Sequence, residues 1–229
     1  MSGERIKVIL DTDIGSDIDD ALALACLLCQ PRCDLLGVTT VSGEARPRAE
    51  MASALCAQAG RPEVPVHSGV EQALLVDIRQ KRAEQSAALG AWPRRRDFAA
   101  NTAIEFLRAT IRAHPGEVVL MPIGPMTNIG VLFALDPELP ALLKALVLMC
   151  GQFQDAMRGE WNAINDRQPL RAGPLHLPRG PRKRLAPRAH TRLDGLRSQR
   201  CHQAPHRRRD RRPRALLPAL LRNRALAAC

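Results

Sequence analysis

One stretch constrains this chain more than any other. Ile6-Lys7-Val8-Ile9-Leu10 is an apolar run rich in β-branched residues; Asp11-Thr12-Asp13-Ile14-Gly15-Ser16-Asp17-Ile18-Asp19-Asp20 follows, and then Ala21-Leu22-Ala23-Leu24-Ala25. The pattern reads as strand, loop and helix. Five carboxylates within ten residues repel one another, and no structural need accounts for that density. A cation among them would remove the penalty, and hard divalent ions such as calcium or magnesium take oxygen ligands of this kind. The loop beyond the carboxyl end of a strand is also where open α/β sheets bind ligands. An acidic helix start favoured by the helix dipole explains Asp19 and Asp20. It leaves Asp11, Asp13 and Asp17 unexplained.

Cys33 to Val41 reads as a second strand closed by Ser42-Gly43, so the first strand, helix and second strand form a βαβ unit, which implies a parallel sheet with a right-handed crossover. A helix is expected from Arg46 to Ala59, with Ala, Met and Leu on one face, and a short strand over Val64 to His67. Val70 to Ala99 carries little pattern, and its Arg94-Arg95-Arg96 reads as solvated surface. Asn101 to Ala113 has Ala103, Ile104, Leu107 and Ile111 at helical core spacing, before a strand over Glu117 to Met121. Gly124-Pro125-Met126-Thr127-Asn128 then turns at the same sheet edge as the aspartate loop. A helix over Ile129 to Ala134, a turn at Asp136 to Pro140 and a strand over Ala145 to Met149 come next. Glu160-Trp161-Asn162 falls in a polar loop. The fold class is therefore α/β, an open, mostly parallel sheet flanked by helices.

A formal charge of +11 would suggest a nucleic-acid partner if it were spread through the fold. It is not: through Asp166 there are 16 Lys and Arg against 21 Asp and Glu, and the last 63 residues hold 18 against 2. Two regions result, an acidic α/β domain over 1–166 and a basic Arg/Pro/Leu-rich tail over 167–229. The tail has no Val, Ile, Phe, Met, Trp, Tyr or Glu and has eight prolines, so it offers neither strands nor a core. It reads as disordered or as a GC-rich gene translated out of frame close to Asp166. Nonspecific nucleic-acid binding through Arg207-Arg208-Arg209 is an alternative role; without aromatics to stack on bases, no specific nucleic acid is expected. The apolar run near the N-terminus is too short for an export signal, and none approaches a membrane span. With seven cysteines, a cytoplasmic location with reduced thiols is expected, and Cys26, Cys29 and Cys33 read as buried thiols rather than zinc ligands.

Four motifs in order, Asp11-Thr12-Asp13 through Asp19-Asp20-Ala21-Leu22, Gly37-Val38-Thr39-Thr40-Val41-Ser42-Gly43, Gly124-Pro125-Met126-Thr127-Asn128-Ile129 and Glu160-Trp161-Asn162, resemble the inosine-uridine preferring nucleoside hydrolases over about residues 5 to 166. The resemblance implies an enzyme that uses a calcium-bound water to hydrolyse the N-glycosidic bond of ribonucleosides, and it implies a homodimer or homotetramer. Asp13 would be general base and calcium ligand, Asp20 a bidentate ligand and the Thr127 carbonyl a third. Asp19, Glu160 and Asn162 would contact the ribose. The chain departs from the family pattern in carrying Glu44 where Asn is common; that carboxylate could still accept a ribose hydrogen bond. The loop after Asp13 is two residues longer than the common form, which leaves Asp17 without a role. A late His-Asp pair, which would place a His near the leaving base and complete the calcium shell, has no counterpart. The resemblance therefore implies weak calcium binding and poor or lost turnover, with a nucleoside-binding pseudoenzyme as the alternative.

Overall fold

The structure, a computed structural model, describes residues 4–151 and 160–166; the basic tail lies outside the described residues. Among the described residues five strands, Ile6–Thr12 (β1), Cys33–Thr40 (β2), Val66–Ser68 (β3), Val118–Pro122 (β4) and Ala145–Leu146 (β5), form one sheet in the order β3-β2-β1-β4-β5, with every pair parallel. The helices are Asp19–Cys29 (α1), Ala45–Gln58 (α2), Ala103–Ala113 (α3), Thr127–Leu135 (α4), Leu139–Leu142 (α5) and Trp161–Asn165 (α6), with a 3₁₀ turn at Glu84–Ala88.

The place of β1 at the centre of the sheet explains its apolar run Val8-Ile9-Leu10. Side chains alternate between the two faces of a strand, and here helices cover both. Val8 and Leu10 pack with Leu24 and Leu28 of α1 and with Ala49 and Ala52 of α2. Ile9 points the other way, into Leu107 and Ile111 of α3, Ile129 and Leu132 of α4 and Leu139 of α5. A strand buried on both faces reads as a continuous hydrophobic run rather than an alternation. In α3 the buried residues Ala103, Leu107 and Ile111 recur every fourth position, the stripe the sequence displays.

The order of the strands positions the site. From β1 the chain moves outward through β2 to β3, then returns past α3 to β4 on the opposite side of β1. The connections leaving β1 and β4 thus run in opposite directions, which makes their carboxyl ends a topological switch point, where such sheets bind ligands.

Several details differ from the sequence reading. Regular pairing in β5 ends at Leu146, although Val147 N and Met149 N still donate to Leu120 O and Pro122 O. Helix α4 starts at Thr127 rather than Ile129, and Pro140 lies inside α5, where a proline near the start forgoes no helical bond. Cys26 is exposed and Cys29 half-buried, because α1 buries Ala21, Leu24 and Leu28; Cys33 alone of the three is buried. Arg94 is not simply solvated: its Nε donates to Glu50 Oε2 at 2.9 Å, holding the 92–96 segment against α2. No helix among the described residues is long and apolar enough to cross a membrane.

Candidate active site

The carboxyl end of β1 is a network of buried polar groups. Asp11, fully buried, accepts on Oδ1 from Thr39 Oγ1 at 2.5 Å and Asn128 Nδ2 at 2.7 Å, while its Oδ2 is buried without a hydrogen-bond partner. Asn128 also donates from Nδ2 to Thr40 O at 3.0 Å, and its Oδ1 accepts from Val70 N at 3.0 Å. One amide side chain from α4 thereby ties the ends of β1 and β2 to the segment leaving β3. Thr12 Oγ1 donates to Asp20 Oδ1 and accepts from Ile14 N at 3.1 Å, so one hydroxyl turns the loop and fixes the second carboxylate.

The end of β4 meets this network at Gly124. A Cβ on that residue would sit 2.8 Å from Asp13 N and 3.0 Å from Asp13 Oδ1, so glycine is what allows the backbone to lie against the Asp13 carboxylate. Thr127, three residues on, is buried at the start of α4, and its hydroxyl donates to Asp166 Oδ2 at 2.7 Å. Leu74 N donates to the same oxygen at 3.1 Å.

Burial decides the electrostatics. It pushes the Asp11 carboxyl up to about 7, against the hydrogen bonds from Thr39 and Asn128. Asp13 and Asp20 are both raised above the ordinary carboxylate range, again chiefly by burial. Repulsion adds to it: Asp13 and Asp19 raise Asp20, and Asp19 and Asp17 raise Asp13, while the Arg48 charge works the other way on both. Groups held in a state unfavourable to their ionised form are poised for a positive partner.

The residues singled out in the sequence divide by position. Asp13 and Asp20 are buried and interact; Asp17 and Asp19 are exposed on the loop and the first turn of α1. Glu44 precedes α2, and its Oε2 accepts from Ala83 N at 2.9 Å, anchoring the segment before the 3₁₀ turn. Glu160 is not in a loop: it caps α6, accepting from Asn162 N at 3.0 Å and Ala163 N at 2.8 Å. Asn162 is buried, and its Nδ2 donates to Ile123 O at 2.6 Å and Met149 O at 3.1 Å, docking α6 on the residue before Gly124. Among the described residues no three His, Cys, Asp or Glu side chains gather as a metal-holding group. Among the described residues, Asp11, Asp13 and Asp20 are the buried carboxylates at the end of β1.

Three contributors were not anticipated. Asn128 stood in a recognised turn without a role, and Asp166 was only the last residue of the readable region. Arg48, with no exposed surface, was missed altogether. Its signal is spacing: Ala45, Arg48, Ala49 and Ala52 fall on one helical face and are all buried.

Residues 8–168 match the model of a family described as inosine-uridine preferring nucleoside hydrolase. A probable uridine nucleosidase 2 of Arabidopsis thaliana is 32% identical over 172 residues, covering 72% of this chain and 52% of that protein. A pyrimidine-specific ribonucleoside hydrolase of Escherichia coli is 29% identical over 157 residues, covering 66% and 49% respectively. Among solved structures, a purine-preferring ribonucleoside hydrolase from Gardnerella vaginalis superposes with a TM-score of 0.62 at 26% identity, covering 71% of this chain and 55% of that one. The chain spans about half the length of the curated relatives it matches.

Proposed function

The chain belongs to the inosine-uridine preferring nucleoside hydrolase family, and from that premise we propose that it takes a ribonucleoside at the carboxyl ends of β1 and β4 and hydrolyses its N-glycosidic bond. The observation that carries the reading is the pair of buried, mutually repelling carboxylates, Asp13 and Asp20, at the switch point of a parallel sheet.

Calcium fits the donor chemistry. The site offers only oxygen, its carboxylates are strained in their ionised form, and the buried Asp11 Oδ2 lacks a partner. Asp13, Asp20 and the Thr127 backbone carbonyl would hold the ion, leaving further positions for water and substrate hydroxyls. Bound calcium would lower the pKa of a water placed at the switch point. Asp13 would accept that water's proton on a carboxylate oxygen as the water oxygen attacks the anomeric carbon, and the pair of electrons in the broken C–N bond would leave with the base. Asp13 and Asp20 would also stabilise the positive charge that builds on the sugar ring. Asp19, exposed in the first turn of α1, would bind ribose hydroxyls, as would the free lone pairs of Glu44 and Glu160; Asn162 would hold the β4 turn that faces the sugar.

Nucleoside binding without cleavage is the second reading, because the late His-Asp pair that the resemblance implies has no counterpart in the sequence. One assay separates the two. Purified full chain is incubated with inosine and with uridine in calcium, and free ribose is measured. Release abolished by Asp13→Ala is expected, whereas no release at high protein concentration supports binding alone.

A further inference from the structure

Arg48 lies in the first turns of α2 with no exposed surface, and every acceptor it uses is neutral. Its Nε donates to Ser42 O at 2.7 Å; its Nη1 donates to Asp13 O, to Ile14 O at 3.0 Å and to Ser16 Oγ at 2.9 Å; its Nη2 donates to Arg82 O at 3.3 Å. Those acceptors come from three separate pieces of chain: the aspartate loop, the turn after β2 and the segment before the 3₁₀ turn. A planar fork with five donors can serve such a spread of acceptors, and a point-like ammonium cannot.

The three pieces also touch one another directly. Gln85 N donates to Gly15 O at 2.9 Å and Gln85 Nε2 to Ser16 O at 3.2 Å. Gly15 has φ +115°, and a Cβ there would lie 2.8 Å from Met51 Sδ and 3.1 Å from the Ala83 Cβ, so the loop and the segment are in direct packing contact. Ser42, whose carbonyl the guanidinium holds, has φ +71°, a conformation that residues with a side chain seldom adopt. The positive charge is felt by Asp13, Asp20 and Glu44.

We propose that Arg48 is a positioning residue: its guanidinium clamps the aspartate loop, the β2–α2 turn and residues 79–86 into one rigid unit and so fixes the direction of the Asp13 carboxylate. The inference rests on the site proposed above for its catalytic meaning, but its structural half is tested without turnover. The experiment is amide hydrogen exchange on the full-length chain and on Arg48→Lys, which keeps the charge and loses the fork. Exchange is expected to quicken by about tenfold or more in peptides covering 13–18 and 79–86, with β1, β2 and β4 unchanged. Unchanged exchange in those peptides overturns the proposal, as does a uniform loosening of the whole sheet, which would make Arg48 mere core filling.

Where ribose release is measurable, kcat of Arg48→Lys should fall by about tenfold or more with KM within about twofold; an unchanged kcat also overturns it. If the wild-type chain releases no ribose, the hydrolase reading fails while the exchange result still decides the clamp. If Arg48→Lys does not fold, Ser16→Ala, which removes one acceptor from a half-buried position, should reproduce the regional pattern at smaller amplitude, and no change there overturns the clamp.

Discussion

The two ends of the site are built differently. At the β1–β2 end most polar groups are bound into the fold, Asp11 Oδ1 by Thr39 and Asn128, Asp20 by Thr12 and the loop carbonyls by Arg48, while Asp11 Oδ2 and Gln85 Oε1 are buried without a partner. At the β5–α6 end, Val147, Met149 and Trp161 are exposed, and the buried Asn165 Oδ1 and Asp166 Oδ1 have no hydrogen-bond partner. Buried polar atoms are nearly always paired in folded proteins, and large apolar side chains exposed together mark a contact surface. The contrast teaches that the acidic half of the site is held by its own hydrogen bonds except at Asp11 Oδ2, and that its other wall is the part the described residues leave open.

The largest effect should come from Asn128→Ala. It strips partners from Asp11 Oδ1, Thr40 O and Val70 N at once, and buried groups left unpaired cost about 1–3 kcal/mol each, so a net loss of about 3 kcal/mol is expected in urea unfolding. A loss under about 0.5 kcal/mol would mean that the well-bonded end is not what holds the loop. At the opposite end, Val147→Lys places a charge on a residue 47% exposed. Stability should then change by less than about 0.5 kcal/mol by the same measurement. A loss of several times that would break the comparison, because it would show the β5 edge to be covered in solution.

Much of the fold was legible because burial writes itself as periodicity. β1 is apolar because helices cover both its faces, α3 repeats every fourth residue, and the dense carboxylates marked the loop after β1. The site's supports were harder to read. Arg48 was not singled out because the α2 pattern was read from its Ala, Met and Leu alone, although Arg48 shares a buried face with Ala45, Ala49 and Ala52. Residues 70–99 showed no pattern because distant side chains hold them, Asn128 at Val70, Asp166 at Leu74, Glu44 at Ala83 and Ser53 at Arg95, and such one-to-one bonds leave no repeat in sequence. Glu160 was read as loop because glutamate is not a favoured helix cap, although it serves as one here.

The central claim is that the buried carboxylates form a cation site, and thermal unfolding of the full chain with and without calcium tests it most directly. Because the folded pKa of Asp11 is raised from the ordinary 3.8 to about 7, the folded state holds a proton that the unfolded state has released. Its contribution to stability is complete below pH 3.8 and is lost as the pH rises through about 7. Asp13 and Asp20 shift in the same direction. In chelator, Tm should therefore fall as the pH rises from about 4, near the unfolded pKa, to about 8, the raised value of Asp20. Millimolar calcium should restore it at the upper end by binding the folded state alone, and Asp20→Asn should remove that restoration. A Tm at pH 8 that calcium leaves unmoved, or moves equally in Asp20→Asn, would contradict the account.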